Sequence, residues 1–170
     1  MSVHVGRKAR IARKSPNLPG GQSEIINESP LDAGYNCDGI PLEFLSNQSS
    51  LQAFTFFHSV QINGVEVDSD DWVAGFNGDI CVGSTRWDTS LCNSGICDVP
   101  AMGDDGNDYS EGYCSSGDFP SFKIYDASED TYVDAYPSQN IPWINNSFPW
   151  VDSLSDELPA VSGCTDEISC

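Results

Sequence analysis

A chain of 170 residues is enough for one domain with a proper core and about thirty residues left over as an arm or linker, and no apolar run approaches the eighteen or so residues that cross a bilayer. The formal charge is −19, unevenly spread: five of the seven Lys and Arg (Arg7, Lys8, Arg10, Arg13, Lys14) precede Ser15, while all 26 Asp and Glu follow Ser23. So acidic a body repels nucleic acid and anionic lipid, and its self-repulsion calls for a counter-charge.

In chain order, the basic lead comes first. No apolar stretch follows Lys14 before Ser15 and Pro16, so no segment reads as a secretory leader; a leader is expected outside this sequence, or the chain begins internally. On an extended backbone Val3, Val5, Ala9 and Ile11 share one side and His4, Lys8, Arg10 and Lys14 the other, with Arg7 and Arg13 interrupting the apolar side. That is the pattern of a strand in need of a sheet. The chain's own body, a neighbouring copy, or no partner at all are its three possible fates. Residues 15 to 34, with Pro16, Pro19, Gly20, Gly21, Pro30 and Gly34, read as linker, and some twenty extended residues span on the order of 60 Å, enough to reach a neighbour. Strand addition to the next copy gives a head-to-tail contact that need not close, and so a filament.

From Leu51 the period is two. Phe54, Phe56, His58, Val60 and Ile62 are expected on one face, Thr55, Ser59 and Gln61 on the other, followed by an Asn63-Gly64 hairpin turn and a return strand at Val65 and Val67. Asn77-Gly78 predicts a second hairpin between Trp72–Phe76 and Ile80–Val82. Residues 85 to 120, rich in Gly, Asp and Ser, read as a structured functional loop, because an idle connection of that length is uncommon. Strands resume at Phe122–Tyr125 and Tyr132–Ala135, and no segment has helical spacing. The expected fold is an all-β antiparallel sandwich or jelly-roll-like barrel over residues 35–155, preceded by the arm and linker of 1–34 and followed by a tail of 156–170.

The seven cysteines (Cys37, Cys81, Cys92, Cys97, Cys114, Cys164, Cys170) do not make a zinc site, since only His4 and His58 are present and no second matching pair follows Cys92 and Cys97. Disulfides in an extracellular compartment are expected instead. Cys92 and Cys97 flank a four-residue turn able to bring their Cα atoms to about 5.5 Å. Cys164 pairs with Cys170, and Cys81 stays a buried thiol in its strand.

The run Asp71-Trp72-Val73-Ala74-Gly75-Phe76-Asn77-Gly78-Asp79-Ile80-Cys81-Val82-Gly83, with Trp87-Asp88-Thr89, Asp98-Val99-Pro100-Ala101-Met102-Gly103-Asp104-Asp105-Gly106 and Phe122-Lys123-Ile124-Tyr125-Asp126-Ala127-Ser128, resembles an uncharacterised module repeated in large secreted, cell-surface proteins of aquatic bacteria. The likeness covers about residues 40 to 153. Gly163-Cys164-Thr165-Asp166-Glu167-Ile168-Ser169-Cys170 resembles the start of a short Cys- and Asp-rich repeat that follows such modules. The resemblance implies a secreted, modular surface role and carries no enzyme chemistry. Against its pattern Cys37 and Cys114 are extra, which implies that they partner each other.

Asp104, Asp105, Asn107, Asp108 and Glu111, set between glycines, form the strongest candidate cation loop, because calcium takes six to eight hard oxygen ligands from a flexible backbone. The spacing is not that of an EF-hand, and a solvated acidic loop is the plain alternative. Asp68, Asp70 and Asp71 form a second metal candidate beside a plain hairpin turn. Trp72, Trp87, Trp143, Trp150, Tyr109 and Tyr113 offer either a sugar-stacking platform or core. Asn27, Asn47 and Asn145 open glycosylation sequons. His58, the one histidine of the body, is expected on an apolar strand face as core, which leaves no base for a nucleophilic triad; acids alone do not make a glycosidase, and no catalytic function is expected. Two readings stand: a calcium-stabilised extracellular subunit or adhesive module that self-assembles through its arm, and a carbohydrate-binding module of a larger secreted protein. The basic arm favours the first, since binding sugar has no use for five cations on a lead.

Overall fold

The computed structural model describes residues 34–159; the basic arm, Asn27 and the Cys164–Cys170 pairing lie outside them. Local turn chemistry lays down the hairpins. Asn63 and Gly64 take φ 51° and 73°, the two left-handed positions that a type I′ turn demands, and join β1 (Gln52–Ile62) to β2 (Val65–Glu66). The second hairpin turns one residue later than its Asn-Gly pair indicates. Asn77 pairs with Ile80 across β3 (Trp72–Asn77) and β4 (Ile80–Arg86), so Gly78, at φ 60°, and Asp79 form the turn, with glycine first as a II′ turn requires. Asn77 is thereby released to donate from its amide to the carbonyl oxygens of Gly112 and Tyr113, at 3.0 and 3.2 Å.

The remaining strands are β5 (Asp98–Met102), β6 (Ser121–Asp126), β7 (Thr131–Pro137) and β8 (Trp150–Ser155). They form one sheet in the order β2-β1-β8-β7-β6-β3-β4, with β5 attached to β1. The expected all-β, mainly antiparallel class holds, and the sheet curls into a half-barrel. Its ends meet where β4 packs on β5: a Cβ on Gly83 would lie 2.1 Å from the Pro100 carbonyl oxygen. Residues 85–120 are therefore more than a loop. β5 lies inside that stretch, and its Pro100 is tolerated because β5 pairs with β1 alone. β8 pairs with β1 in parallel, the one parallel ladder of the sheet.

That parallel ladder corrects the reading of β1. Its core side chains are Ala53, Phe57, Val60 and Ile62, while Phe54 and Phe56 are half-buried and His58 is exposed. The inward side changes between Phe57 and Val60, a step of three rather than two, and β8 makes the same step from Val151 to Leu154 with Ser59 and Ser153 still in register. At that point β1 also exchanges β5 for β2 as its second neighbour, and the bend reverses which residues face in. His58 is accordingly surface, not core.

Three apolar clusters result. The largest fills the half-barrel around Phe57, Val60, Val73, Ile124, Val151 and Leu154. A second lies under the loop at one end, where Trp143 packs with Ala53, Met102 and Tyr113 and donates its indole N–H to the Ala101 carbonyl at 2.9 Å. The third is external: residues 34–45 cross the outer face of β3, β6 and β7, and the fully buried Phe44 meets Phe76, Tyr125 and Tyr132 edge to face at 5.9, 6.5 and 5.2 Å.

Candidate functional site

The 103–112 loop owes its shape to one carboxylate. Asp105 Oδ1 accepts from the Ser110 hydroxyl (2.8 Å) and from the Asn107 amide and main chain (2.9 and 3.2 Å), and Oδ2 accepts from Tyr109 Oη (2.8 Å) and from Ser50 N and Oγ (both 3.1 Å). Six donors thus converge on its two oxygens. Asp104 is turned to the Gly106 N–H (2.9 Å), while Asp108 and Glu111 are exposed on the loop surface. Among the described residues no three Asp, Glu, His or Cys side chains gather in a metal-holding group, so the loop as folded is a hydrogen-bonded knot that ties the entry of β1 to the sheet end. These donors hold the Asp105 carboxyl far below the usual carboxylate range, the Ser110 hydroxyl contributing most, and in return Asp105 raises the Tyr109 phenol. A depressed folded pKa means stability that is present above the unfolded value of about 4 and fades as pH falls below it. Asp105→Ala should therefore lower the melting temperature by an amount constant from pH 7 to about 5, and the gap from wild type should narrow below about pH 4; a gap independent of pH throughout would show that the charge is not what holds the loop.

The second acidic group has separate tasks for its members. Asp71 is buried; its Oδ1 accepts from Ala127 N (2.9 Å) and its Oδ2 from Asp68 N (2.7 Å), pinning the crossing between β2 and β3 to the β6–β7 turn. Asp70 forms an ion pair with Arg86, whose Nε also donates to the Ser69 carbonyl at 2.9 Å.

Cys92 and Cys97 form the expected disulfide, with Cα atoms 5.1 Å apart. The pairing of Cys37 with Cys114 does not form, and both are free. Cys37 is exposed in the outer segment, whereas Cys114 is buried against Met102 and Trp143 at the sheet end. Cys81 is the expected buried thiol. Burial pushes Cys81 up to about 11 and Cys114 up to about 12, so both stay protonated and inert at neutral pH.

The six aromatics expected to form a platform are scattered. Trp87, Trp143 and Tyr113 are core, Trp72 packs on the outer cluster, and only Tyr109 and Trp150 are well exposed. A different set comes together on the outer wall of β1 and β8. Phe54 stacks on Phe148 at 5.8 Å and 5° between planes, Phe56 stacks on Trp150 at 4.8 Å and 12°, and His58 lies 5.3 Å from Trp150. Phe148 and Trp150 remain 57 % and 52 % exposed, which makes this a surface feature and not core. The sequence signal was present: in a parallel pair Phe56 and Trp150 stand directly opposite, but only knowledge of that pairing reveals it. The sequons at Asn47 and Asn145 are exposed, and Asn145 Oδ1 accepts from Gln52 N at 3.0 Å.

Of the 26 carboxylates 21 fall within residues 34–159, against two cations, Arg86 and Lys123. Arg86 is engaged by Asp70, and Lys123 Nζ lies 5.3 Å from the centroid of the Phe76 ring. No helix among the described residues is long and apolar enough to cross a membrane. No family model, curated protein or solved structure matches the chain.

Proposed function

We propose that this chain is a non-enzymatic extracellular subunit that assembles head-to-tail through its N-terminal arm and presents the aromatic wall of β1 and β8 as an adhesive face. One observation carries the reading: the cations are separated from the acids along the chain, and the two that remain in the body are already engaged by Asp70 and Phe76. A carboxylate-covered surface of this kind takes a cationic partner, and the arm is one. The Cys92–Cys97 disulfide fits an oxidising compartment, as does the resemblance to modules of secreted surface proteins. Sedimentation of the intact chain tests the reading: large species at low salt should dissolve as ionic strength rises past about 0.1 M, where the Debye length falls to about 10 Å. A monomer at every salt concentration overturns it.

In this proposal calcium stabilises the protein by neutralising a dense carboxylate surface, because Asp105 has its lone pairs filled by hydrogen bonds. Calcium should then raise the melting temperature gradually, and magnesium should do the same at similar concentration. A saturating, calcium-selective rise would instead call for a built site.

The stacked wall favours one second reading, a carbohydrate-binding module, since sugar rings pack on exposed aromatic groups. Trp150→Ala separates the two. Under the assembly reading it leaves fibre formation intact, whereas under the second it abolishes retention on polysaccharide, worth on the order of 1 kcal/mol or more.

A further inference from the structure

The strand order leaves one long stretch of sheet edge available. β7 is paired with β6 from Thr131 to Ala135, yet its ladder with β8 begins only at Tyr136 and Pro137 and runs on to Ser138, whose N–H donates to the Ser153 carbonyl at 2.8 Å. Beyond Ser155 the chain leaves β7, for Asp156 Oδ1 accepts from Asn63 N at the β1–β2 turn, 2.9 Å away. Among the described residues no strand pairs with the second edge of Thr131–Ala135. The other edges are blunted. β2 is two residues long, and β4 lies against β5 at Gly83 and against the segment carrying Phe44, whose carbonyl accepts from the Ser84 hydroxyl at 3.0 Å. An open row of main-chain donors and acceptors is a template for an added strand.

The surroundings of this edge specify what kind of strand fits. Ala135 and the half-buried Val133 face the core, while Tyr132 and the exposed Asp134 face outward. Exposed Glu129 and Asp130 lie in the turn just before the strand, and Glu157 follows the end of β8. A partner with small apolar residues on one side and cations on the other therefore meets both faces. Residues 3–11 of this chain have that alternation, with Val3, Val5, Ala9 and Ile11 against Lys8 and Arg10, interrupted on the apolar side by Arg7.

Resting on the assembly reading above, we propose that the free edge of β7, Thr131–Ala135, is the acceptor for residues 3–11 of a neighbouring copy. The length of the lead selects the neighbour over the chain's own arm. The described chain starts at Gly34 and Tyr35, and Tyr35 Oη lies 2.7 Å from Tyr125 Oη, which donates to Asp130 at the start of β7. A few residues would carry an arm from there to its own β7, whereas the linker of residues 15–33, extended, reaches about 60 Å.

The test uses two chains that each keep one half of the contact. The Ser138 N–H donates to the Ser153 carbonyl on the β8 side, so by alternation the main-chain N–H groups of Tyr132 and Asp134 face the open edge. Asp134→Pro in the intact chain removes an edge N–H and leaves the arm; the chain lacking residues 1–14 keeps the edge and lacks the arm. Each alone should stay monomeric, and mixed they should form a one-to-one pair and stop. Should Asp134→Pro lose the native circular dichroism, Asp134→Lys takes its place, keeping the main chain and raising the concentration needed for assembly about tenfold. If Asp134→Pro and Asp134→Lys both build fibres like wild type while deletion of the arm abolishes them, the acceptor lies elsewhere and only the assembly reading survives. If the intact chain stays monomeric with the amides of Tyr132 and Asp134 protected from hydrogen exchange, the arm serves its own body and the proposal falls. If it stays monomeric with those amides unprotected, the assembly reading and this proposal fall together.

Discussion

Removal of residues 1–14 should turn a fibre-forming protein into a monomer. The deletion takes away five of seven cations and changes the formal charge from −19 to −24, so the remaining surface is self-repelling and without a basic partner. Among the described residues the body closes on its own contacts: the Leu42 N–H donates to the Gly34 carbonyl, and the outer cluster is anchored by Phe44. The shortened chain is therefore expected to melt within a degree or two of the intact monomer measured at high salt, while its sedimentation no longer depends on concentration. Replacing the five cations by Gln in the full-length chain should have the same effect if charge is the cause. Fibres that persist in the Gln variant but not in the deletion would assign the contact to Val3, Val5 and Ile11 alone.

The largest loss of stability is expected at Gly83. Its missing Cβ would lie 2.1 Å from the Pro100 oxygen and 2.7 Å from the Pro100 carbonyl carbon, both backbone atoms of β5 that cannot rotate away. Gly83→Ala must push β4 and β5 apart where the half-barrel closes, at a cost of about 3 kcal/mol and about 10 °C in melting temperature for a domain of this size. Gly75 supplies the control from the neighbouring strand. A Cβ there meets Val82, Val99 and Phe122 at 3.7 to 3.8 Å, ordinary contact distance, so Gly75→Ala should change the melting temperature by no more than a few degrees. Equal losses at the two positions would mean that the closure of β4 on β5 is not a fixed feature of the fold.

These contrasts also mark how far the sequence speaks for itself. Period-two patterning and two Asn-Gly pairs are local signals, and they identified the all-β class, both hairpins and the β6 and β7 strands. Cys92–Cys97 is equally local, five positions apart in sequence. What escaped is set by distant partners. β5 was hidden by Pro100, which reads as a strand breaker until its single-sided pairing is known. The change of inward face at Phe57 and Val60 arises from a bend shared with β8, more than ninety residues away, and it moved Phe54, Phe56 and His58 from expected core to surface. In the acidic loop the composition shows carboxylates but not their partners: Ser50, Tyr109 and Ser110 donate to Asp105, and Ser50 comes from outside the loop.

Electron microscopy of the intact chain, concentrated in low salt with calcium present, tests the central claim most directly. The account predicts unbranched fibres built from one repeating 18.4 kDa chain, which disperse when salt is raised and are missing from the chain lacking residues 1–14. A grid without fibres, from a sample whose folded body is confirmed by its circular dichroism, would contradict it.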